Sequence, residues 1–598
     1  MVLNLSQNKK RLFAAFGFLT FACFAVAGSN KWSLSNDFVQ PKLQQAVLAA
    51  TGLELDRFDH VTLSVLPWPN MQVTNLGLKQ PKSRIENAQV ASAEIERVMI
   101  PLLKARVSFA SLVTGKPQIA ALTLVSPQVN LAATVDMNKA DQLSTAMLGV
   151  IYDNARQLPR SLRVRRAVIN HDGAEWVKNV ELSVNNIASS DIKLRGSADY
   201  RNTPIQMTAD VGRTASQQER SIRWNLATSS MNAQFTGSLL SPRTLDAEGQ
   251  FKVSILDGSK LASTLKIGKN QAVLMDGLQL SGQTRITLPT IQVRNAVLER
   301  GAERLDGTVE LTLDPQKPQF SATLDSKSLN LTAVLTPMVT SLLQQENGWS
   351  RQKLSTEWFQ AATADIRLSA SRLTLGAHTM EHAALSGRMN NGRMEFILSD
   401  GRLNGGNVKA RSVISLINDT IDLKALGSFD RVDVGAFLDA ANVSRLRGQA
   451  TGQFSFEAVG ASIAELVEAA EGRSSLLIKD GELIGIDFER VLGRLERPTA
   501  SSLSPTTLLE GRTRFQSATA QMTLSGGKMT LSNSWIATDR FRVPLDGTVA
   551  VSHRMIDVKA RLLPGGEIPK AGDIIIRFEG PWANPIVYPD LTGRLRRS

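Results

Sequence analysis

Along most of this chain apolar and polar residues alternate with a period of two. Val309, Leu311 and Leu313 follow the pattern, as do Phe320, Ala322 and Leu324, then Ile366, Leu368 and Ala370. Ile421, Leu423 and Ala425 repeat it, and Ile556, Val558, Ala560 and Leu562 extend it near the C-terminus. Successive side chains of an extended chain point to opposite faces, so this spacing predicts strands with one apolar and one polar face. Asp-Gly occurs at Asp172, Asp257, Asp276, Asp306, Asp400, Asp480 and Asp546, and Asn-Gly at Asn347, Asn391 and Asn404. These dipeptides accept positive φ at small cost, and many are expected to reverse one strand into the next. The pattern predicts a mainly β chain, a long antiparallel meander of roughly thirty strands.

Helical spacing is rare. Leu43, Val47 and Ala50 form a stripe after Pro41 that ends at Gly52. Leu143, Met147, Val150 and Ile151 form a second, ending near Pro159. Weaker stripes cover 334–345, 463–470 and 486–495. So few helices cannot cover one face of so long a sheet. The apolar face must fold onto another sheet, close into a barrel, or be sheltered by a ligand.

The N-terminus reads differently. Lys9, Lys10 and Arg11 precede Leu12–Gly28, which contains no charge, and no acidic residue occurs before Asp37. Leu12, Phe13, Phe16, Phe18, Leu19, Phe21, Phe24 and Val26 each favour insertion at a bilayer centre by about 0.3–0.6 kcal/mol. As a helix the run is about 25 Å long, close to the ~30 Å hydrocarbon core, and Trp32 is spaced to meet the far interface. Ala25-Val26-Ala27 before Gly28 is a competing signal-peptidase site that would release the chain. The expectation is a single uncleaved transmembrane anchor with its basic end in the cytoplasm and the bulk of the chain exported. Phe21 fits a lipoprotein cleavage box poorly, so Cys23 reads as an apolar, unmodified residue.

Composition narrows the chemistry. The 598 residues carry 68 Lys and Arg against 55 Asp and Glu, a net +13. That excess is thin for a nucleic-acid binder, which concentrates cations on one face or stripe. A single cysteine rules out an internal disulfide and any cysteine-based metal site within one chain. His378-Thr379-Met380-Glu381-His382 has the order of an inverted zinc-peptidase motif, but that chemistry needs a helix. Its flanks alternate and end in glycines, which predicts a strand with His378 and His382 on one face, too far apart for one metal. Ser525-Gly526-Gly527-Lys528 lacks the remaining parts of a phosphate loop and reads as a hairpin turn. Glu94 with Glu96 reads as an exposed strand face, and Arg594, Arg596 and Arg597 as a solvated tail. No enzyme, metal or cofactor is expected.

A set of ordered motifs resembles the AsmA family of Gram-negative envelope proteins. After the anchor come Pro41 through Gly52, then Val61-Thr62-Leu63-Ser64-Val65-Leu66-Pro67-Trp68-Pro69 and Val73 through Leu78. Ala93 through Val98 leads to Pro101-Leu102-Leu103, and Leu122-Thr123-Leu124-Val125 through Leu131 closes the unit. A middle signature is Trp349-Ser350 followed by Ala364 through Ala370, with Lys353 where the family has a proline. The C-terminal signature is Lys479 through Asp487, then Phe578-Glu579-Gly580-Pro581-Trp582 and Pro585 through Asp590.

The resemblance implies a chorein-type, bridge-like lipid transfer protein: an elongated, curled, repeating β-groove whose apolar face shelters acyl chains, with a few short helices. The implied organisation is an anchor over 1–32, an N-terminal AsmA-like unit over 33–200, a repeating sheet over 201–430 and a C-terminal region over 431–598. The implied partners are phospholipids and the inner membrane, with no nucleic acid. The implied role is phospholipid transport to, and maintenance of, the outer membrane. Leu63, Val65, Leu122 and Leu124, alternating residues of the unit nearest the membrane, are the expected contacts to acyl chains. The competing reading is a periplasmic scaffold that modulates outer-membrane protein assembly and carries no lipid.

Overall fold

The computed structural model describes residues 32–51, 53–66, 68–80, 95–108, 118–131, 159–171, 173–187, 191–213, 220–241, 246–265, 275–313, 317–332, 348–354, 356, 363–439, 445–495, 511–562, 574–582 and 585–590. The expected anchor residues from Leu12 to Val26 lie outside this set, as do the helical stripes at 143–151 and 334–345. Among the described residues no helix is long and apolar enough to cross a membrane. The chain forms two compact units, Met1–Arg294 with Thr312–Gln316, and Asn295–Leu311 with Lys317–Ser598. Both are mainly β, as the alternation predicts.

In the first unit Trp32–Leu34 pairs with Val61–Ser64, which pairs with Asn70–Lys79 and through it with Ile95–Val107. Ile95–Val107 then pairs with both Ile119–Val125 and Gln128–Leu131. These two strands run parallel to Ser161–His171. From there every strand is antiparallel to the next, through Ala174–Asn185, Ile192–Tyr200, Thr203–Arg213, Arg220–Thr228, Met231–Ser241 and Asp246–Ile255 to Leu278–Thr287. The second unit repeats the device. Gln319–Ser326 and Leu329–Asn330 run parallel to Thr363–Leu375, and an unbroken antiparallel series follows to Ile586–Asp590. Parallel neighbours need a long connection, and residues 132–160 and 331–362 supply it.

The expected meander therefore holds, with one parallel crossover in each unit that alternation cannot reveal. Several expected hairpins are corrected. Asn391-Gly392 and Asn404-Gly405 do join consecutive strands, as does Gly173. Asp306, Asp400, Asp480 and Asp546 instead lie inside strands. At Gly307 and Gly547 an added Cβ would collide with the carbonyl oxygens of Thr323 and Asp557 on the neighbouring strand. Glycine is needed there so that two backbones can approach, not to reverse the chain. Asp257-Gly258 opens a helix, Gly258–Leu265, whose Lys260 N–H donates to the Asp257 carboxylate at 2.9 Å.

The first helix, Asn36–Thr51, contains Pro41 inside it, where the stripe placed the proline ahead of the helix. The ring removes one intrahelical bond, and packing of Val39, Leu43 and Val47 on the sheet offsets the loss. In the second unit Ile463–Glu468 starts at a capping box: the Glu465 N–H donates to the Ser462 hydroxyl, and the Ala461 N–H donates to the Glu465 carboxylate. Phe488–Leu495 is tied down by Thr513, whose hydroxyl donates to the Ile486 carbonyl and accepts from the Phe488 N–H.

Candidate functional site

The register determines which alternating residues line up. In the first unit Leu63 stands opposite Met71, Met71 opposite Ala105, Ala105 opposite Leu122, and Leu122 opposite Leu162. The same row continues through Val184, Leu194, Ala209, Trp224, Phe235 and Phe251. A second apolar row, two residues along each strand, starts at Val61, Val73, Leu103, Leu124 and Val164. It runs on through Leu182, Gly196, Met207, Leu226, Ala233, Val253 and Leu280. Between them, on the other face, every position is polar. That row is Thr62, Gln72, Lys104, Thr123, Arg163 and Ser183, then Arg195, Thr208, Asn225, Gln234, Lys252 and Ser281. Along these rows one face of the sheet is apolar on each strand crossed, and the row between them on the other face is hydrophilic.

Three of the four expected contact residues share that apolar face. Leu63 and Leu122 are half-buried in one row, and Leu124 sits half-buried in the next. Val65 lies past the end of its strand and is 49% exposed. Leu124 packs against a buried cluster of Leu53, Val61, Val73, Leu76, Leu78 and Ile100 that the Asn36–Thr51 helix roofs. Away from that roof, among the described residues, the face is covered chiefly by its own side chains. Leu162, Val184, Leu194 and Leu226 are half-buried and Met207 is exposed, while Phe235, flanked by Trp224 and Phe251, is 1% exposed.

The second unit carries the same two-sided sheet. Leu324, Leu368, Leu385, Leu398, Ala410, Gly427 and Phe454 stand opposite one another in turn. Ser474 is the one polar member before Met522, Leu531, Gly547, Val558, Phe578 and Val587 complete the row. Phe454 lies opposite Gly427, Phe456 opposite Gly472 and Phe429 opposite Gly452, so the rings fill the space of the missing side chains. At its C-terminal end this face closes around the Phe488–Leu495 helix, with Phe488, Val491, Val543, Leu562 and Ile576 buried together. Two cavities of about 840 Å³ open on the opposite face, lined by Lys409, Arg411, Lys424, Leu426 and Arg473 among others. The Arg411 guanidinium in them pairs with Glu395, and Lys424 with Glu457 at 3.6 Å.

The remaining candidates fall as follows. His378 to His382 lies on the strand His378–Asn390, as the flanks predict. The shared face does not hold: His382 is left-handed, with φ 49°, and this bulge lets Met380 and Ala383 pack on one side. The alternation between the two histidines is thereby broken, and His378 stacks on Phe437 at 4.6 Å. Among the described residues no group of three or more His, Cys, Asp or Glu could hold a metal ion. Ser525 to Lys528 is a hairpin turn with Gly526 and Gly527 left-handed. Glu94 and the C-terminal arginines lie outside the described residues. Trp349 of the middle signature donates its indole N–H to the Val551 carbonyl at 2.8 Å, under the Arg554 guanidinium, and Ser350 accepts from the Ala464 N–H at the start of the Ile463–Glu468 helix. At the edge of the first unit Arg97 and Lys79 both donate to Asp56, which holds its carboxyl below the usual carboxylate range.

The row partners from Leu162 to Phe251 escaped the sequence reading. Alternation shows that each strand has an apolar face, but the alignment of neighbouring strands depends on register, to which bulges at Asn75, Arg166 and Asn179 contribute.

The AsmA family model matches residues 256–533. The chain is also similar to Protein AsmA of Escherichia coli (strain K12), at 21% identity over 522 residues, which cover 83% of this chain and 78% of that protein. The family resemblance read from the ordered motifs is borne out by both. No solved structure matches the chain.

Proposed function

Because residues 256–533 carry the AsmA-family match, we propose that this is an envelope protein whose apolar sheet faces hold phospholipid acyl chains. On this reading Leu12–Gly28 anchors the chain in the inner membrane, the bulk of it stands in the periplasm, and lipid held on the sheet supports transport to, and maintenance of, the outer membrane. It performs no covalent chemistry and needs no cofactor.

The observation that carries the reading is the unbroken apolar row across the first unit, roofed by a helix at one end and, among the described residues, mostly half-buried elsewhere. A soluble sheet normally covers such a face with a second layer. Acyl chains offer that layer at about 0.8 kcal/mol per methylene removed from water. The row that begins at Val61 crosses twelve strands. At about 4.8 Å per strand that is a path of roughly 50 Å. One leaflet is about 15 Å of hydrocarbon, so a single tail spans about three strands. The face is long enough for several tails in succession, which suits a track better than a pocket for one ligand. Head groups can remain in water at the strand ends.

The test uses neighbouring residues on opposite faces. A photoreactive phenylalanine analogue is placed at Leu226, on the apolar face, or at Asn225, on the polar one, in the full chain within intact envelopes. Phospholipid adducts at 226 and none at 225 are expected, with the same contrast at Leu398 and Ser399. Adducts to protein alone at 226 and 398 would favour the scaffold reading.

A further inference from the structure

We propose that the polar face of the first unit's N-terminal strands is a docking surface for the anionic phospholipid head groups of a membrane. Lys104, Arg163 and Arg195 lie in one row of that face, separated only by Thr123 and Ser183. Arg106 and Lys193 lie in the adjacent row, with Ala121, Ser161 and Asn185 between them. Neither row contains an acidic residue over these strands; the first is Asp210, beyond Lys193. All five cations are exposed, and none has an ion pair or side-chain hydrogen bond among the described residues. Lys79 and Arg97 show the contrast. They lie toward the edge of the same face and share the Asp56 carboxylate as ion-pair partner, at 2.9 Å each.

In the first row the cations recur every second strand, about 10 Å apart, and in the second Arg106 and Lys193 stand four strand spacings, roughly 19 Å, apart. A depression of about 390 Å³ lies among Lys104, Arg106 and Arg163, and Leu66 and Trp68 form part of its wall. Those two residues belong to the turn between Val61–Ser64 and Asn70–Lys79, where Trp68 is 62% exposed. Tryptophan settles at the level of lipid head groups, with its ring in the apolar zone and its N–H in the polar one. Cations alone would suit any polyanion. Cations beside an apolar, tryptophan-bearing tip suit a membrane surface, because one plane satisfies both. This surface is distinct from the acyl-chain face, which lies on the other side of the same strands, and it does not depend on lipid carriage.

The test uses the full chain reconstituted in vesicles of phosphatidylcholine, or of equimolar phosphatidylcholine and phosphatidylglycerol. Lysine acylation is followed residue by residue by mass spectrometry. Lys104 and Lys193 are expected to react about fivefold more slowly on the anionic vesicles. Lys409 of the second unit, also exposed, should keep its rate. Arg163→Glu should restore much of the Lys104 rate. Inorganic phosphate added to phosphatidylcholine vesicles should leave all three rates unchanged. Equal rates on the two vesicles, or a slowing shared by Lys409, would overturn the proposal. Protection by free phosphate or by polyglutamate as strong as that by anionic vesicles would assign the surface to a soluble anion or an acidic peptide instead.

Discussion

Leu122→Asp separates an open apolar face from a filled core. Leu122 stands between Ala105 and Leu162 in its row and is half-buried. Complete burial of a leucine is worth about 1.5–3 kcal/mol, so the half-buried side chain contributes about 1–1.5 kcal/mol. At a face open to water the new carboxylate keeps most of its hydration, and the full penalty of an unpaired buried charge does not apply. The expected loss is about 1–2 kcal/mol, a fall in melting temperature of roughly 2–3 °C for a unit of this size. Phe235→Asp, at a site 1% exposed, should cost several kcal/mol and unfold its unit. An acyl chain laid across the row would change the sum for Leu122→Asp, because it would strip water from the carboxylate. Even 3 kcal/mol of that penalty lowers occupancy more than a hundredfold. The assay pairs far-ultraviolet circular dichroism with lipid adducts formed from a photoreactive residue at Leu162. A folded variant with few adducts is expected. Loss of the β-sheet spectrum would mean that Leu122 sits in a filled core, and a folded variant with undiminished adducts would refute the acyl-chain face at this position.

Phe488→Ala should destabilise the second unit by about 3–5 kcal/mol, since Phe488 is fully buried where the sheet closes around its helix; thermal unfolding measures it, and a loss under 1 kcal/mol would contradict that packing. The depressed Asp56 pKa means that its ion pairs stabilise the fold fully above the ordinary aspartate value of about 3.9 and less as pH falls through the lower folded value. The stability gap between wild type and Asp56→Asn should therefore be constant from pH 7 to about pH 5 and close below about pH 4. Changing His378 and His382 together to Ala should leave the metal content of the purified chain unaltered, because the His382 bulge breaks the alternation between them; elemental analysis decides this. N-terminal sequencing of the mature protein should find Leu12–Gly28 still attached, whereas a start at Gly28 would identify a cleaved signal.

Some of this protein is determined by its sequence alone. Ile421, Leu423 and Ala425 alternate because an extended chain presents side chains with a period of two, and that local rule needs no partner. The mainly β class and the apolar face of each strand follow from it. Glycine is ambiguous at the same level. Asn391-Gly392 reverses the chain, while Asp546-Gly547 sits mid-strand beneath the backbone of Asp557, and only the neighbouring strand distinguishes the two roles. Helical stripes hid the start of Asn36–Thr51 because Pro41 is tolerated only where Val39, Leu43 and Val47 can pack on the sheet. The parallel crossovers onto Ser161–His171 and Thr363–Leu375 were likewise invisible, since strand direction is a relation between segments. The same holds for both surfaces to which a role is assigned above. Leu63, Leu122 and Leu162 become one row, and Lys104, Arg163 and Arg195 another, only through register. Register is decided jointly by bulges, crossovers and packing across the sheet, whereas alternation belongs to each strand by itself.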